Sequence, residues 1–458
     1  MGGRLQWFGG ALVCAILTIA AGFALLGLSL DSAATAAGVD SATHLGVATC
    51  AGSTCHGRSE PTGRVVRQDE ILHWQDASSQ AGAHSRAWTV LGNARGQDIA
   101  RRLGIGDPQS APMCLGCHAD PGPRGGRFQL SDGVGCEACH GGSQPWLASH
   151  YSVSGTHANN VANGLVPLDR PAVRAAVCLD CHFGSDRPSQ FVDHRIMAAG
   201  HPRVSFELDL FSTLQQHWNE DSDYIDRKGR SNDVRIWAVG QAMALERQLS
   251  LYAQPRLGQE GSFPEFYFFD CHTCHRRISD QPDFRASATA NPSRPIPSGM
   301  PAFNDENMIM LSAAAQVVAP GLATKFDGDS RAFHAGIATD RSAAIAAAGR
   351  LRGDAAALKD AFARNEFSRA QTFAIIDAVT GSALARYTDY EGGVQAVMAT
   401  DTLLSAMVNA GYVPKGSADG IRGQVNLAYA AVKDPYSFRP LEFRAALGRA
   451  ANSIKALR

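Results

Sequence analysis

Ten of the eleven cysteines fall into five pairs, and a histidine follows the second cysteine of every pair. In chain order, motifs 1 to 5 are Cys50/Cys55/His56, Cys114/Cys117/His118, Cys136/Cys139/His140, Cys178/Cys181/His182 and Cys271/Cys274/His275. Motifs 2 to 5 have two residues between their cysteines, whereas motif 1 has four. Because residues i, i+3 and i+4 share one face of a helical turn, two thiols and one imidazole point to the same side in motifs 2 to 5.

Two thiols followed directly by an imidazole form the attachment sequence of a c-type haem. Five disulfides are the alternative for ten cysteines in an exported chain, but disulfides have no use for a histidine after every second cysteine. Zinc sites pair their motifs without this histidine placement. The sequence therefore predicts five covalent haem c groups. Motif 1 requires a bulged loop, and a Cys50–Cys55 disulfide or a haem with one thioether remains an alternative there.

The ligand opposite each motif histidine decides whether the iron is closed or open to a small molecule. Ten histidines lie outside the motif ligand positions: His44, His73, His84, His150, His157, His194, His201, His217, His272 and His334. All except His334 lie between residues 44 and 272, among the motifs. Methionine is scarce in that region, with only Met113, Met197 and Met243. Most of the irons are therefore expected to have two histidine ligands.

Two stretches carry a resemblance to a known family. The run from Gly133 to Gly141, followed by His150, resembles the multihaem cytochromes of the cytochrome c-554 type. The upstream Trp74 with His84 is similar to the same family, over about residues 45 to 185 in all. The resemblance implies that His84 and His150 are distal ligands of haems attached elsewhere in the chain. The sequence departs from the tetrahaem pattern in the wide motif 1, in motif 5 and in its long C-terminal part.

Three more histidines complete the predicted distal set. His194 and His201 are seven residues apart, a spacing that places both on one side of a helix, two turns apart. His157 is the third, ahead of His217, His272, His44 and His73. His272 lies between the two cysteines of its own motif, so it can hardly reach the far side of that haem. His334 lies beyond the haem region and is the weakest candidate.

The composition of the chain changes along its length. Residues 1–36 are predicted to be an export signal, because Arg4 precedes an apolar run and small residues follow it. An uncleaved membrane anchor formed by residues 7–30 is the alternative. Residues 41–278 form the predicted pentahaem domain, and 279–301 form a proline-rich linker. Residues 302–458 form an α-helical domain.

The predicted fold class is mainly α with much irregular structure, in which a multihaem domain is organised around its cofactors and an all-α bundle follows. A packing helix is expected from Asp233 to Tyr252. Alanine-rich patterns predict four or five helices after the linker. Their bounds are expected at Asp340 to Arg364, Ser368 to Tyr387, Val394 to Asn409 and Phe438 to Leu457.

The leading functional hypothesis is a periplasmic electron carrier with mostly bis-histidine haems. The alternative is a haem oxidoreductase that acts on hydroxylamine, nitrite or nitric oxide at one open haem. Related nitrite reductases carry lysine in place of one motif histidine, and no motif here does so. A subunit of a larger haem conduit is a third hypothesis. Redox proteins are the expected partners, the net charge of -1 argues against nucleic acid, and oligomerisation stays open.

Overall fold

The structure is a computed structural model, described over residues 41–60, 67–259, 265–275, 291, 293–297, 300–381, 386–387 and 389–458. The predicted export signal at 1–36, its alternative as an anchor at 7–30 and most of the predicted linker at 279–301 lie outside these residues. No helix within the described ranges combines the length and the apolar character needed to cross a lipid bilayer.

Helices supply nearly all of the regular structure. In the first half of the chain they are α1 (Glu70–Gln75), α2 (Ala94–Leu103), α3 (Pro112–His118), α4 (Glu137–His140), α5 (Leu147–His150), α6 (His157–Ala162), α7 (Pro171–His182), α8 (His194–Ala198), α9 (Leu208–Leu214) and α10 (Ser222–Lys228). Then follow α11 (Asp233–Ala253), α12 (Pro255–Gln259), α13 (Cys271–Cys274), α14 (Glu306–Val318), α15 (Pro320–Thr339), α16 (Arg341–Arg364), α17 (Arg369–Thr380), α18 (Tyr390–Asn409), α19 (Lys415–Ala431) and α20 (Pro440–Lys455).

Short 3-10 helices and loops make up the rest. The 3-10 helices are Val47–Thr49, Ala81–Arg86, Thr89–Gly92, Leu130–Asp132 and Phe266–Phe268. The described residues contain no strand, only single bridges between His44 and Arg124 and between Phe269 and Phe303. The predicted fold class, mainly α with much irregular structure, is confirmed.

The two halves of the chain bury apolar side chains very differently. Before α7, the buried hydrophobic cluster consists of only Val47, Ile71 and Trp74. From Ala175 onward, one continuous core runs through to Ile454. The segment that carries motifs 1 to 3 therefore has little side-chain core of its own, as expected of a domain whose interior is filled by its cofactors.

Helix α11 lies at the centre of the large core. Its Trp237, Leu245 and Leu249 are almost completely buried. The helix packs against α7, which carries motif 4, and against α14 and α16 of the C-terminal region. Residues on both sides of the predicted linker thus share one core.

The C-terminal region contains more helices than the four or five predicted. Seven helices, α14 to α20, lie in the described residues after Asp305. Helices α16, α18 and α20 correspond to three predicted segments, whereas α17 ends at Thr380 and not at Tyr387. Helix α19 escaped prediction because Gly416, Gly420 and Gly423 lower its helix propensity.

Candidate haem-binding sites

The backbone of the motifs follows the spacing of their cysteines. Motifs 2 to 5 lie in helical turns at α3, α4, α7 and α13. Motif 1 is a turn without helix, closed by the Cys55 N–H on the Gly52 carbonyl at 2.8 Å and by the His56 N–H on the Cys50 carbonyl at 3.1 Å. This is the bulged loop that its four inserted residues predict. None of the ten cysteines forms a disulfide, Cys50 and Cys55 included.

Every motif histidine has one other imidazole in front of it. The pairs and their ring-centroid distances are His56 with His150 at 6.0 Å, His118 with His201 at 6.2 Å, His140 with His217 at 6.3 Å, His182 with His84 at 6.0 Å and His275 with His194 at 6.0 Å. The planes are inclined by 17°, 90°, 87°, 70° and 33°, in the same order. No pair is formed by neighbours in sequence, since its members are 77 to 98 residues apart.

This separation fits one metal ion between two imidazoles. A metal–nitrogen bond to histidine is about 2.0 Å, and a ring nitrogen is about 1.2 Å from the ring centroid, so two axial imidazoles have centroids about 6.4 Å apart. The observed 6.0 to 6.3 Å is close to that value. Each of the five sites thus brings together two imidazoles that could bind one iron, at a motif whose two cysteines could form thioether bonds.

Hydrogen bonds at Nδ1 orient several of these rings. Nδ1 of His118 lies 2.7 Å from the Ala87 carbonyl oxygen, and Nδ1 of His201 lies 2.7 Å from the Pro202 carbonyl oxygen. A carbonyl only accepts, so Nδ1–H must donate and the lone pair lies on Nε2. Nδ1 of His56 donates to the Glu70 carboxylate at 2.9 Å in the same way. Such contacts fix the tautomer that binds iron.

The five remaining histidines have other polar partners. His44 lies 2.5 Å from Asp120, His73 3.5 Å from Asp69, His157 3.7 Å from Asp169, His272 2.7 Å from the Pro435 carbonyl oxygen and His334 3.7 Å from Asp305. The structure therefore places His217, and not the predicted His157, in front of the motif 3 histidine. The other four predicted distal residues, His84, His150, His194 and His201, each face a motif histidine.

Burial keeps most of the paired imidazoles neutral. Desolvation lowers the pKa of His140 to about 3 and that of His182 to about 4. It also lowers the pKa of His84 and of His217. The hydrogen bond from Glu70 instead raises the pKa of His56. A neutral imidazole is the form that binds a metal, so the buried rings require no deprotonation at neutral pH.

Motifs 1 to 4 lie against one another in pairs. Cys50 and Cys136 lie close enough for each thiol to shift the pKa of the other, so motif 1 lies against motif 3. Cys117 and Cys181 also shift each other's pKa, and Cys181 Sγ lies 4.0 Å from the Gly116 carbonyl oxygen, so motif 2 lies against motif 4.

A cavity of about 490 Å³ lies between motifs 2, 3 and 4. Its lining includes the cysteines and histidines of motifs 2 and 4, together with their paired His201 and His84. Cys139 of motif 3 also borders it. One apolar space therefore reaches three attachment sites.

The segment from His194 to His201 connects motif 5 to motif 2, because it supplies the imidazole that faces the histidine of each motif. His194 begins α8, but the helix ends at Ala198, so His201 is not on the continuous helix that its spacing predicted. Gly200 has φ +117°, a backbone conformation that side-chain-bearing residues rarely adopt. That reversal lets His194 face His275 while His201 faces His118.

One segment of the chain matches a known protein family. Residues 49–141 match the family described as cytochrome c554 and c-prime. The matched segment contains motifs 1 to 3 and His84, and it ends one residue after His140. No curated protein and no solved structure matches the chain.

Proposed function

We propose that the whole chain is a pentahaem electron carrier, since residues 49–141 match the family described as cytochrome c554 and c-prime. In this proposal the two cysteines of each motif hold one haem c and the motif histidine binds its iron. The distal ligands are His150, His201, His217, His84 and His194 for motifs 1 to 5 in that order.

The observation that carries the proposal is the imidazole in front of every motif histidine. Five pairs of sequence-distant imidazoles share one centroid spacing to within 0.3 Å, and one metal ion per pair accounts for that spacing. Haem c supplies a one-electron couple whose potential depends on its axial ligands and its surroundings. The protein's part would be to hold a second imidazole ready for each iron and, by burial, to keep rings such as His140 and His182 neutral.

The contacts between motifs support transfer along the molecule. Motif 1 touches motif 3, and motif 2 touches motif 4. Cys139 of motif 3 borders the cavity of motifs 2 and 4, and the segment from His194 to His201 joins motif 2 to motif 5. The attachment sites thus form a continuous series, which a carrier of single electrons needs.

Catalysis on hydroxylamine, nitrite or nitric oxide needs an iron with an open position. If each facing imidazole binds the iron of its motif, no such position stays open, and all five motif histidines have a facing imidazole. This arrangement favours electron transfer over the oxidoreductase alternative. We also propose export to the periplasm through the segment at 1–36, with the anchor at 7–30 as the alternative, and redox proteins as donor and acceptor.

Two measurements on the purified mature protein test the function. Intact mass should exceed that of the polypeptide by five haem groups, and low-temperature EPR of the oxidised protein should show low-spin ferric haem throughout. A high-spin signal that shifts when nitrite, hydroxylamine or nitric oxide is added would instead establish an open haem and favour the enzyme. A colourless protein with the mass of bare polypeptide would end the proposal.

A further inference from the structure

His272 lies between the two cysteines of motif 5, but its ring is turned away from them, toward the C-terminal helices. Its Nδ1 lies 2.7 Å from the carbonyl oxygen of Pro435, so Nδ1–H donates to that carbonyl. The ring also meets the edge of Phe438, with centroids 5.2 Å apart at 89°. Phe438 is fully buried and therefore offers a rigid surface.

Other residues of the C-terminal region contact motif 5 from neighbouring positions. Tyr436 lies against the ligand His275, with ring centroids 5.4 Å apart. The carboxylate of Glu391 lies 3.9 Å from the Cys271 thiol. The Tyr390 N–H donates to the side chain of Asp270, the residue before the motif, at 3.1 Å.

The chain that enters motif 5 is fixed from the same side. The Asp270 N–H donates to the Ala302 carbonyl at 2.8 Å, and the Asn304 N–H donates to the Phe268 carbonyl at 2.9 Å. Ala302 and Asn304 belong to the segment that leads into α14. Motif 5 is thus held by the segment before α14, by the start of α18 and by the connection between α19 and α20.

We propose that the C-terminal helical region forms part of the binding site of the fifth haem and that His272 is the positioning residue that fixes motif 5 against this region. The proposal rests on the proposed function, since it takes motif 5 as a haem attachment site. Helix α13 is a single turn of four residues and has no packing stripe with which to set its own orientation. The His272 to Pro435 hydrogen bond supplies that orientation, because it fixes the turn between the two cysteines relative to the bundle.

The orientation of the turn matters for the twist between His275 and His194, which is 33°. His275 directly follows α13, so a rotation of this turn about its axis moves the His275 ring relative to His194. The twist between axial imidazoles determines the g-values of a low-spin ferric haem. His272 therefore acts on the fifth iron through the angle of another residue, without touching the iron.

The test compares variants of the full-length holoprotein. His272→Phe keeps a ring against Phe438 but removes the donor, whereas His272→Asn keeps an amide donor at the position of Nδ1. Tyr436→Ala removes the exposed ring beside His275 without opening the core. His73→Phe is the matched control, since His73 is a partly exposed histidine that contacts only Asp69 by charge.

EPR of the oxidised proteins and spectroelectrochemical titration are the readouts, and His194→Ala identifies the signal of the fifth haem as the one that it removes. We expect His272→Phe and Tyr436→Ala to shift this signal and the midpoint potential of this haem, His272→Asn to restore both, and His73→Phe to change neither. Loss of only the fifth haem from His272→Phe, seen as a mass of four haems, also supports the proposal. An unchanged fifth signal in both His272→Phe and Tyr436→Ala overturns it, as does a shift that His272→Asn fails to restore.

The proposed function fails by a different result. If the unaltered protein carries fewer than five haems by mass, motif 5 is not an attachment site and the premise is lost. If five haems are present and the EPR signal of the fifth haem does not change in the His272 variants, only the positioning role of His272 is contradicted.

Discussion

The ten histidines outside the motif ligand positions fall into two groups, according to what their rings contact. Five non-motif histidines face a motif histidine at 6.0 to 6.3 Å, and the other five contact a carboxylate or a carbonyl oxygen. A ring in the first group can therefore share a metal ion with a motif histidine. His217 belongs to this group, whereas the predicted His157 belongs to the second.

We predict that His217→Ala converts one of the five haems to high spin, because the iron held by His140 loses its distal imidazole. EPR should show one new high-spin signal with the haem count unchanged. His157→Ala is the control, and we expect its spectrum to match the unaltered protein, since His157 contacts Asp169. The reverse outcome would assign the distal role to His157.

The sequence alone indicated four of the facing histidines but not the fifth. His84 and His150 were predicted from resemblance, and His194 and His201 from their shared segment. Nothing local distinguishes His217 from His157, because a distal ligand is chosen by where the chain returns after α9 and not by its neighbours in sequence. Which imidazole faces His140 is therefore a property of the tertiary fold.

Glu70 provides a second prediction at the residue scale. Its carboxylate accepts from Nδ1 of His56 at 2.9 Å, which makes the imidazole more basic and stabilises the ferric iron. Glu70→Gln should raise the midpoint potential of this haem by up to about 59 mV, a tenfold change in the one-electron equilibrium. Asp69→Asn, at the N-cap of the same helix and beside His73, should leave the potential of this haem unchanged. Equal shifts in both variants would contradict a specific role of Glu70.

Near motif 5, two buried glutamates share one buried arginine. Arg203 lies between Glu306 of α14 and Glu391 of α18, at 3.3 Å and 3.5 Å, and all three side chains are buried. Burial raises the pKa of Glu306 to about 8, although Arg203 opposes the shift. Two carboxylates thus share one guanidinium, and one of them holds a proton at neutral pH.

We predict that the free energy of unfolding falls with rising pH because of Glu306. The pKa of this carboxyl is raised from 4.5 to about 8 in the folded state, so its contribution is fully present below pH 4.5 and is lost as the pH rises through 8. The slope should be at most about 1.4 kcal/mol per pH unit. Urea unfolding followed by far-UV circular dichroism between pH 5 and 8 measures it.

Glu306→Gln removes the titrating group and should flatten this pH dependence. Glu366→Gln is the control, because the Glu366 side chain is exposed at 89% and its salt bridge to Arg235 is solvated. If the slope persists in Glu306→Gln, another group holds the proton.

Helix bounds were predictable where an apolar stripe repeats without interruption. Helix α11 was expected to end at Tyr252 and ends at Ala253, because Val234, Leu245 and Leu249 mark one face that packs into the core. Helix α15 was not predicted, since Gly321 and Gly328 interrupt its pattern and its buried face is defined by packing, as where Phe333 meets Tyr252 of α11 and Phe303. Tertiary packing determines which side chains of different helices meet, and local helix propensity cannot predict those contacts.

The whole molecule should show two classes of haem in EPR. Imidazole planes in parallel act on the same iron d orbital and give rhombic low-spin spectra, whereas perpendicular planes leave two orbitals nearly degenerate and give highly anisotropic ones. The pairs at 17° and 33° belong to motifs 1 and 5, and the pairs at 70°, 87° and 90° to motifs 4, 3 and 2. We predict two rhombic and three anisotropic signals of equal integrated intensity. Five rhombic signals would contradict the ring orientations.

The pairing of distant histidines also affects how the chain tolerates a break. The closures from His56 to His150, His84 to His182, His118 to His201, His140 to His217 and His194 to His275 overlap without a gap. With iron bound between these pairs as proposed, any single peptide bond between residues 56 and 275 would be spanned by at least one iron–imidazole link. A protease that nicks a loop of the folded protein would leave both fragments migrating together on a native gel, and only unfolding would part them.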